Sequence, residues 1–421
     1  MRQRGREHGR HADEERSTKS PPRSPYRLEA EHVTLAYHLG VVGEASPLVK
    51  WESPEWSAAR TEVAAGLTGS TAACATAPVE RMTQLTIVGV PGSPYSRKLR
   101  AVLRYRRIPH AWVLPGSPES RGLPEPRVAL LPRLIVPSDD GTLEARVDST
   151  PLIRELETRY RDRSVIPPDP AMAFLDALLE DYADEWLTKP MFHYRWAFAA
   201  DVARAAAILP RWVRPGMPEA QAIALGTEFA ERQIARLAVV GSNETTAPVI
   251  EDSYRRLLAL LDAHLTGSRF VMGSRPGASD FGLFGQLTQL TLFDPTPAAI
   301  ALRTAPRVVA WVDVVEDLSG VEPSEADWLS REAVPDTVRA LLAEVGRVYV
   351  PFLLANAAAL ERGAERVECT IDGRPWVQRP FPYQRKCVQW LREGRAALAP
   401  DDRRIVDALL AGTGCEQLFV A

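Results

Sequence analysis

Cysteine is scarce in this chain. Its 421 residues hold four: Cys74, Cys369, Cys387 and Cys415. They lie far apart and form no CxxC pair. That excludes a disulfide framework and a structural zinc site, and it predicts reduced thiols in a cytoplasmic protein. Long apolar runs are also missing, since no stretch approaches the roughly 18 residues that span a bilayer. Neither sign of charge dominates. Lys and Arg number 51 against 54 Asp and Glu, a net charge of −3, so neither nucleic acid nor an anionic membrane is predicted as a partner. HExxH, a Walker loop, GxGxxG and clustered metal ligands are absent, and the seven histidines are scattered. No metal is predicted, and His-based hydrolysis has no support.

What is present is ordinary for a globular protein: 45% hydrophobic and 25% charged residues, in a chain long enough for two or three domains. The 35 prolines predict interrupted helices. Residues 1–27 are rich in Arg, Ser, Pro and acids, and read as disordered. Residues 28–80 show no clear periodicity, and the Ala-rich part from Ala58 to Ala77 lacks the apolar run of a secretory signal. Met82-Thr-Gln-Leu-Thr-Ile-Val-Gly looks like the start of a domain that opens on a strand, so 1–81 is expected to be a loose or misassigned extension.

Residues 82–165 read as β-α-β, a connection, then β-β-α. A short strand from Leu85 to Val90 runs into a Pro-Gly turn and then Ser93-Pro94, a helix-start signal. His110–Leu114 is the second strand, Leu131–Val136 the third, and Leu143–Val147 returns after Asp139-Asp140-Gly141. Asp148-Ser149-Thr150-Pro151 starts the next helix. From about 171 the chain reads as helical. Phe174, Leu175, Leu178, Leu179, Tyr182 and Trp186 form one stripe, and Pro190 divides the helix from Phe192–Trp196. Further helices are predicted at 218–239, 248–265, 278–291, 305–318, 334–362, 384–394 and 401–411, with a hairpin around Asp372-Gly373.

Three short segments carry a resemblance. Ser93-Pro94-Tyr95-Ser96, Leu131-Pro132 and Asp148-Ser149 stand in the order and spacing of the glutathione site in glutathione S-transferases. Gly277-Ala-Ser-Asp280 resembles a capping segment of their helical domain, with Gly277 where the family usually has Ser or Thr. The segment 181–196 resembles a bacterial subgroup. The resemblance implies a thioredoxin-like N-terminal domain (82–165), an all-helical C-terminal domain (170–320) and a mainly helical extension (321–421). It also implies that the Leu131–Pro132 bond is cis, with Leu131 pairing its backbone to the peptide. Asp148 would take the α-amino group of the γ-glutamyl end and Ser149 its carboxylate.

The implied activity is conjugation of glutathione, as co-substrate, to a small apolar electrophile, a detoxification reaction. Glutathione must ionise to attack, and its free thiol, with a pKa of about 8.5, is only a few per cent thiolate at neutral pH. Ser93, a hydroxyl at a helix N-terminus, is the residue placed to favour the thiolate by a hydrogen bond. The blander reading is that Ser93 only caps the helix. Ser93 and Ser96 occupy the places of the two cysteines of a glutaredoxin, which argues against disulfide exchange. Ser96 is expected to bond locally. Arg97 and Lys98 are candidates to attract the anionic peptide, against the alternative that Lys98 and Arg100 are solvated surface. His193, Tyr194 and Arg195 are candidates for the electrophile side, against the alternative that His193 and Arg195 lie on the surface or pair with Asp184 and Glu185. A non-catalytic binding or interaction protein of the same fold is the second reading. Homodimers are common in the family, and the added C-terminal helices leave open whether that surface survives.

Overall fold

The structure, a computed structural model, describes residues 84–138 and 140–420. The expectations for 1–81, including Met82 as the start, lie outside the described residues.

The first unit is built on a four-stranded sheet. Strand β1 (Leu85–Val88) buries Leu85, Ile87 and Val88 and hands over through the turn at Pro91-Gly92 to helix α1 (Pro94–Tyr105). Strands β2 (His110–Val113), β3 (Arg133–Pro137) and β4 (Leu143–Val147) complete the sheet, in spatial order β2-β1-β3-β4. β1 and β2 are parallel, while β3 is antiparallel to both β1 and β4. Helix α2 (Ser149–Arg159) follows β4. The connection between β2 and β3 holds only a 3₁₀ turn at Pro118–Ser120. This is the β-α-β, connection, β-β-α order that the patterning predicts.

The rest is helical. Helix α3 (Pro170–Glu185) opens on Asp169, whose Oδ1 accepts from the amides of Ala171 and Met172. Pro190 lies in the first turn of α4 (Thr188–Ala197), so the chain breaks between α3 and α4 as expected. Helices α5 (Ala199–Val213), α6 (Glu219–Ile234), α7 (Ala247–His264) and α8 (Ala278–Leu287) follow, and a π-turn over Thr288–Phe293 ends α8. Then come α9 (Pro295–Thr304), α10 (Pro306–Val315), α11 (Asp336–Glu344) and α12 (Val350–Glu361).

The hairpin β5 (Val367–Ile371) and β6 (Arg374–Gln378) turns at Asp372-Gly373, both with positive φ. Helices α13 (Pro382–Ala397) and α14 (Pro400–Leu410) finish the chain with a 3₁₀ turn at Cys415–Phe419. Two elements go beyond the sequence reading, α5 and α9. One continuous core joins the face of α1, the predicted stripe of α3, and α7, α8, α12 and α13.

Candidate functional site

Sheet register decides which residues meet. Val88 pairs with Arg133, and Arg133 pairs with Val147. One row therefore crosses the last residue of β1, the first of β3 and the last of β4. The segments just outside that row, Gly89–Ser93, Leu131–Pro132 and Asp148–Ser149, project from the same end of the sheet. The Leu131–Pro132 peptide bond is cis.

A cleft of about 790 Å3, counting its open mouth, lies there. It is lined by Tyr95, Leu130, Leu131, Asp148, Ser149, Thr150, Asp181, Asp184, Glu185, Phe381, Tyr383 and Trp390. Of the five site residues expected from sequence, Leu131, Asp148 and Ser149 line the cleft, whereas Ser93 and Pro132 are buried just outside its lining.

Ser93 is 7% exposed and caps α1, with its Oγ accepting from the Ser96 amide at 3.2 Å. That bond uses a lone pair and leaves the hydroxyl proton available to donate. Ser96 departs from expectation. Its hydroxyl is fully buried and carries no hydrogen bond, and it packs so close to Gly89 that a Cβ there would lie 2.8 Å from it. Tyr95, between the two serines, donates to the Asp184 carbonyl at 2.9 Å and shares a 2.7 Å bond with Thr188 Oγ1. Asp148 has φ 79°, a sparsely populated conformation for a non-glycine residue. Its Oδ2 accepts a 2.7 Å bond from the Tyr383 hydroxyl on α13.

The charges are arranged differently from the sequence reading. Lys98 is not surface. It is 1% exposed, and its Nζ donates to Glu180 at 2.7 Å, Asp184 at 2.5 Å and Thr150 at 3.1 Å. Burial alone would discharge it, but Asp184 and Glu180 outweigh burial and hold the ammonium above its ordinary value. Burial likewise opposes the charge of Glu180, yet Lys98 and Arg154 hold its carboxyl below the usual carboxylate range. Arg97, Arg100 and Arg104 all reach Glu316 at the far side of α1, so they do not face the cleft as a peptide-attracting patch.

On the cleft side of α3, burial pushes Asp181 up to about 7 and Glu185 up to about 8, and neighbouring carboxylates add to both shifts. Lys189 lines a smaller recess that shares Glu185 and Phe381 with the cleft. Its ammonium donates to the Val240 carbonyl at 3.0 Å and Gln378 Oε1 at 2.8 Å, and lies 4.0 Å from the centre of the Phe352 ring. Burial lowers it to about 7.

His193, Tyr194 and Arg195 do not line the cleft, and neither His193 nor Arg195 is on the surface or paired with Asp184 or Glu185. The His193 Nδ1 meets Ser242 Oγ at 2.8 Å, and Tyr194 stacks on Phe198. Arg195 makes a two-pronged pair with Asp294, with both Nε–Oδ1 and Nη2–Oδ2 at 2.9 Å. Its Nη1 donates to the Gly92 carbonyl at 3.2 Å, so it positions the turn before Ser93. Sequence reading missed Tyr383 and Trp390 on α13 and Phe381 just before it, and gave Asp181, Asp184 and Glu185 no role in the cleft. The spacing of these three acids on one helix was the available signal. Among the described residues, no cluster of three or more His, Cys, Asp or Glu side chains is arranged to hold a metal ion.

The family model for the N-terminal domain of glutathione S-transferases matches residues 87–164, and the model for their C-terminal domain matches residues 220–313. With the observed topology, these matches give the chain the glutathione S-transferase fold: a thioredoxin-like domain with a small mixed sheet, then a helical domain. No curated protein matches the chain.

Solved structures similar to it include FzlA from C. crescentus, 15% identical, covering 62% of this chain and 92% of that one at TM-score 0.36. A glutathione S-transferase from Methylobacterium radiotolerans in complex with glutathione sulfonate is 17% identical, covering 57% and 99% at TM-score 0.30. A glutathione transferase from Pseudomonas putida with glutathione disulfide bound is 14% identical, covering 57% and 93% at TM-score 0.33.

Proposed function

We propose that the chain is a cytoplasmic glutathione transferase that conjugates glutathione to a small electrophile, with Ser93 stabilising the thiolate. The observation that carries the reading is the register of the sheet, which puts the β1–α1 turn, the cis Leu131–Pro132 bond and Asp148-Ser149 at one sheet end. Glutathione laid across that end would pair its backbone with Leu131. It would place its γ-glutamyl ammonium near Asp148 and its carboxylate near Ser149 and the first amides of α2. The thiol would then lie by the N-terminus of α1, where the Ser93 proton and the helix dipole both favour the ionised form. The electrophile would occupy the cleft between α3 and α13. The domain limits 82–165, 170–320 and 321–421 belong to the same proposal.

Retention on immobilised glutathione tests the binding half. Ser93→Ala tests the chemistry: it is expected to keep glutathione affinity within about threefold and to lose at least tenfold in turnover with a chromogenic electrophile. Unchanged turnover would remove Ser93 from the mechanism.

A second reading, a non-catalytic binding protein of the same fold, is favoured by one contact and one placement. Tyr383 holds the carboxylate assigned to the peptide, and Ser93 lies outside the lining of the cleft. Failure to bind glutathione at all would select that reading.

A further inference from the structure

Asp is a favoured helix N-cap because its carboxylate accepts from the first amides of the helix. Asp148 stands at that position of α2, and its side chain makes no capping hydrogen bond. The residue lines the cleft instead, and its Oδ2 accepts at 2.7 Å from the hydroxyl of Tyr383, 235 residues away in the first turn of α13. The carboxylate is thus aimed by the segment after residue 320 and not by the helix it begins.

The turn that carries Tyr383 is fixed on both sides. Phe381, at the N-cap of α13, is tied to α12 by Asn356, which is fully buried and bonds the Phe381 carbonyl at 2.9 Å and amide at 2.8 Å. Gln384 donates to Glu185 on α3 at 3.0 Å, and the Tyr383 ring meets Trp390 edge-on at 6.0 Å. The Tyr383 hydroxyl takes one of the roughly four lone-pair positions of the carboxylate and brings no charge, so Asp148 keeps room for an ammonium. Burial pushes the Asp148 carboxyl up, and the Tyr383 bond is first among the influences that oppose the rise, ahead of Lys98. A donor to the charged form favours that form, which is the one an ammonium requires.

We propose that Tyr383 is a positioning residue of the peptide site: its hydroxyl fixes the Asp148 carboxylate in the orientation that receives the γ-glutamyl ammonium of glutathione. This deepens the transferase reading, and rests on it in placing that ammonium at Asp148. Tyr383 acts through Asp148, so it governs selectivity for a co-substrate that carries the amino group. The C-terminal segment thereby takes part in recognising the peptide, within the same chain.

Calorimetric titration of the full chain with glutathione and with glutaryl-cysteinylglycine, the analogue that lacks the amino group, reads that selectivity. Tyr383→Phe keeps the ring against Trp390. It is expected to lose about tenfold in glutathione affinity and to change by less than about twofold for the analogue. In Asp148→Asn, adding Tyr383→Phe is expected to change glutathione affinity by less than about twofold, because the hydroxyl acts through the carboxylate. A merely structural role would move both ligands alike, with or without Asp148. The acid limb of glutathione binding is a further readout. Asp148 is faced by Lys98 of α1, Glu180 and Glu185 of α3, and Tyr383 and Cys387 of α13. Loss of the Tyr383 bond raises its carboxyl further, so as pH falls Tyr383→Phe should lose glutathione at a higher pH than the unsubstituted chain. Equal glutathione affinity in the two chains, a gain in Tyr383→Phe, or equal losses for both ligands overturns the positioning role and leaves the transferase reading standing. Failure of the unsubstituted chain to bind glutathione removes the transferase reading, and the role of Tyr383 with it.

Discussion

Lys98 shows how much one residue can mislead when only its neighbours in sequence are known. In Ser96-Arg97-Lys98-Leu99-Arg100 it looks like one more surface cation, since charged side chains are seldom fully buried. Its partners are 82 and 86 residues away on α3, and no local pattern announces them. A buried cation that loses its place leaves its carboxylates uncompensated. Lys98→Met should therefore cost about 3–5 kcal/mol, measured by urea unfolding. A loss below about 1 kcal/mol would mean that Glu180 and Asp184 find another cation or stay protonated. Asp181 and Glu185 give a second, pH-dependent prediction. Both carboxyls are raised in the folded chain, to about 7 and about 8, by burial first and neighbouring carboxylates second. Above the ordinary carboxyl range the folded state then binds more protons than the unfolded one, so their contribution to stability is full below about pH 4 and is lost as pH rises through about 8. Glu185→Gln should remove one proton's share of that decline, at most about 1.4 kcal/mol per pH unit between pH 5 and 8. Identical stability–pH curves for the two proteins would contradict the raised value.

At the scale of an element, the start of α8 explains an apparent defect in the sequence. Gly277 stands where the family it resembles usually has Ser or Thr, so the helix lacks its own capping hydroxyl. The cap is supplied from outside: Asp176 on α3 accepts from the amides of Ala278 at 3.1 Å and Ser279 at 3.0 Å, while Asp280 accepts from Gly277 at 2.9 Å and Val271 at 2.8 Å. A Cβ on residue 277 would sit 2.4 Å from Asp176 Oδ1, so glycine is required by the borrowed cap. Gly277→Ser, which restores the family residue, should lower stability by about 1–3 kcal/mol through overpacking. Adding Asp176→Ala should recover part of that loss, and thermal unfolding of the single and double variants checks the coupling. Strictly additive losses would rule out the clash. Elsewhere the elements that announced themselves had strong local signals. The strand–turn–helix at 85–105 and the hairpin at Asp372-Gly373 carry their own turn chemistry. Helix α5 did not, because its buried contacts rest on little more than Ala205, Leu209, Pro210 and Val213 in an alanine-rich run. Helix α9 begins Pro295-Thr-Pro297, which reads as a turn although proline suits a first helical turn.

Over the whole molecule, the segment after residue 320 is packed into the core and into the cleft. Helix α3 has an apolar stripe legible in sequence as Phe174, Leu178, Tyr182 and Trp186; α8 packs on another side of the helix, with Gly282 against Ala183, but the aromatic residues of the stripe are covered from the C-terminal hundred residues. Trp186 lies 5.4 Å from Trp376 and 6.2 Å from Phe352 between ring centres, Tyr182 lies 6.1 Å from Tyr349, and Phe174 lies 5.9 Å from Phe419. These contacts join residues far apart in the chain, which is why periodicity shows that α3 is buried but cannot show what buries it. The same segment brings Phe381, Tyr383 and Trp390 to the cleft, so stability and site share one covering layer. A protein arranged this way should unfold as a unit. Trp376→Ala removes a side chain 1% exposed from the centre of the contact and should cost about 3–5 kcal/mol. Because its ring also faces Lys189 at 5.4 Å, the loss should appear in the single main transition and in no separate early one. A chain ending at residue 320 should fail to give a monomeric folded protein, since the apolar face of α3 and the carboxylates beside it would both meet water on that side. Calorimetry of the full chain and size-exclusion chromatography of the shortened one decide the matter. Two resolved transitions, with a shortened chain that keeps the first of them, would show that the segment is an independent lid and that the core is complete without it.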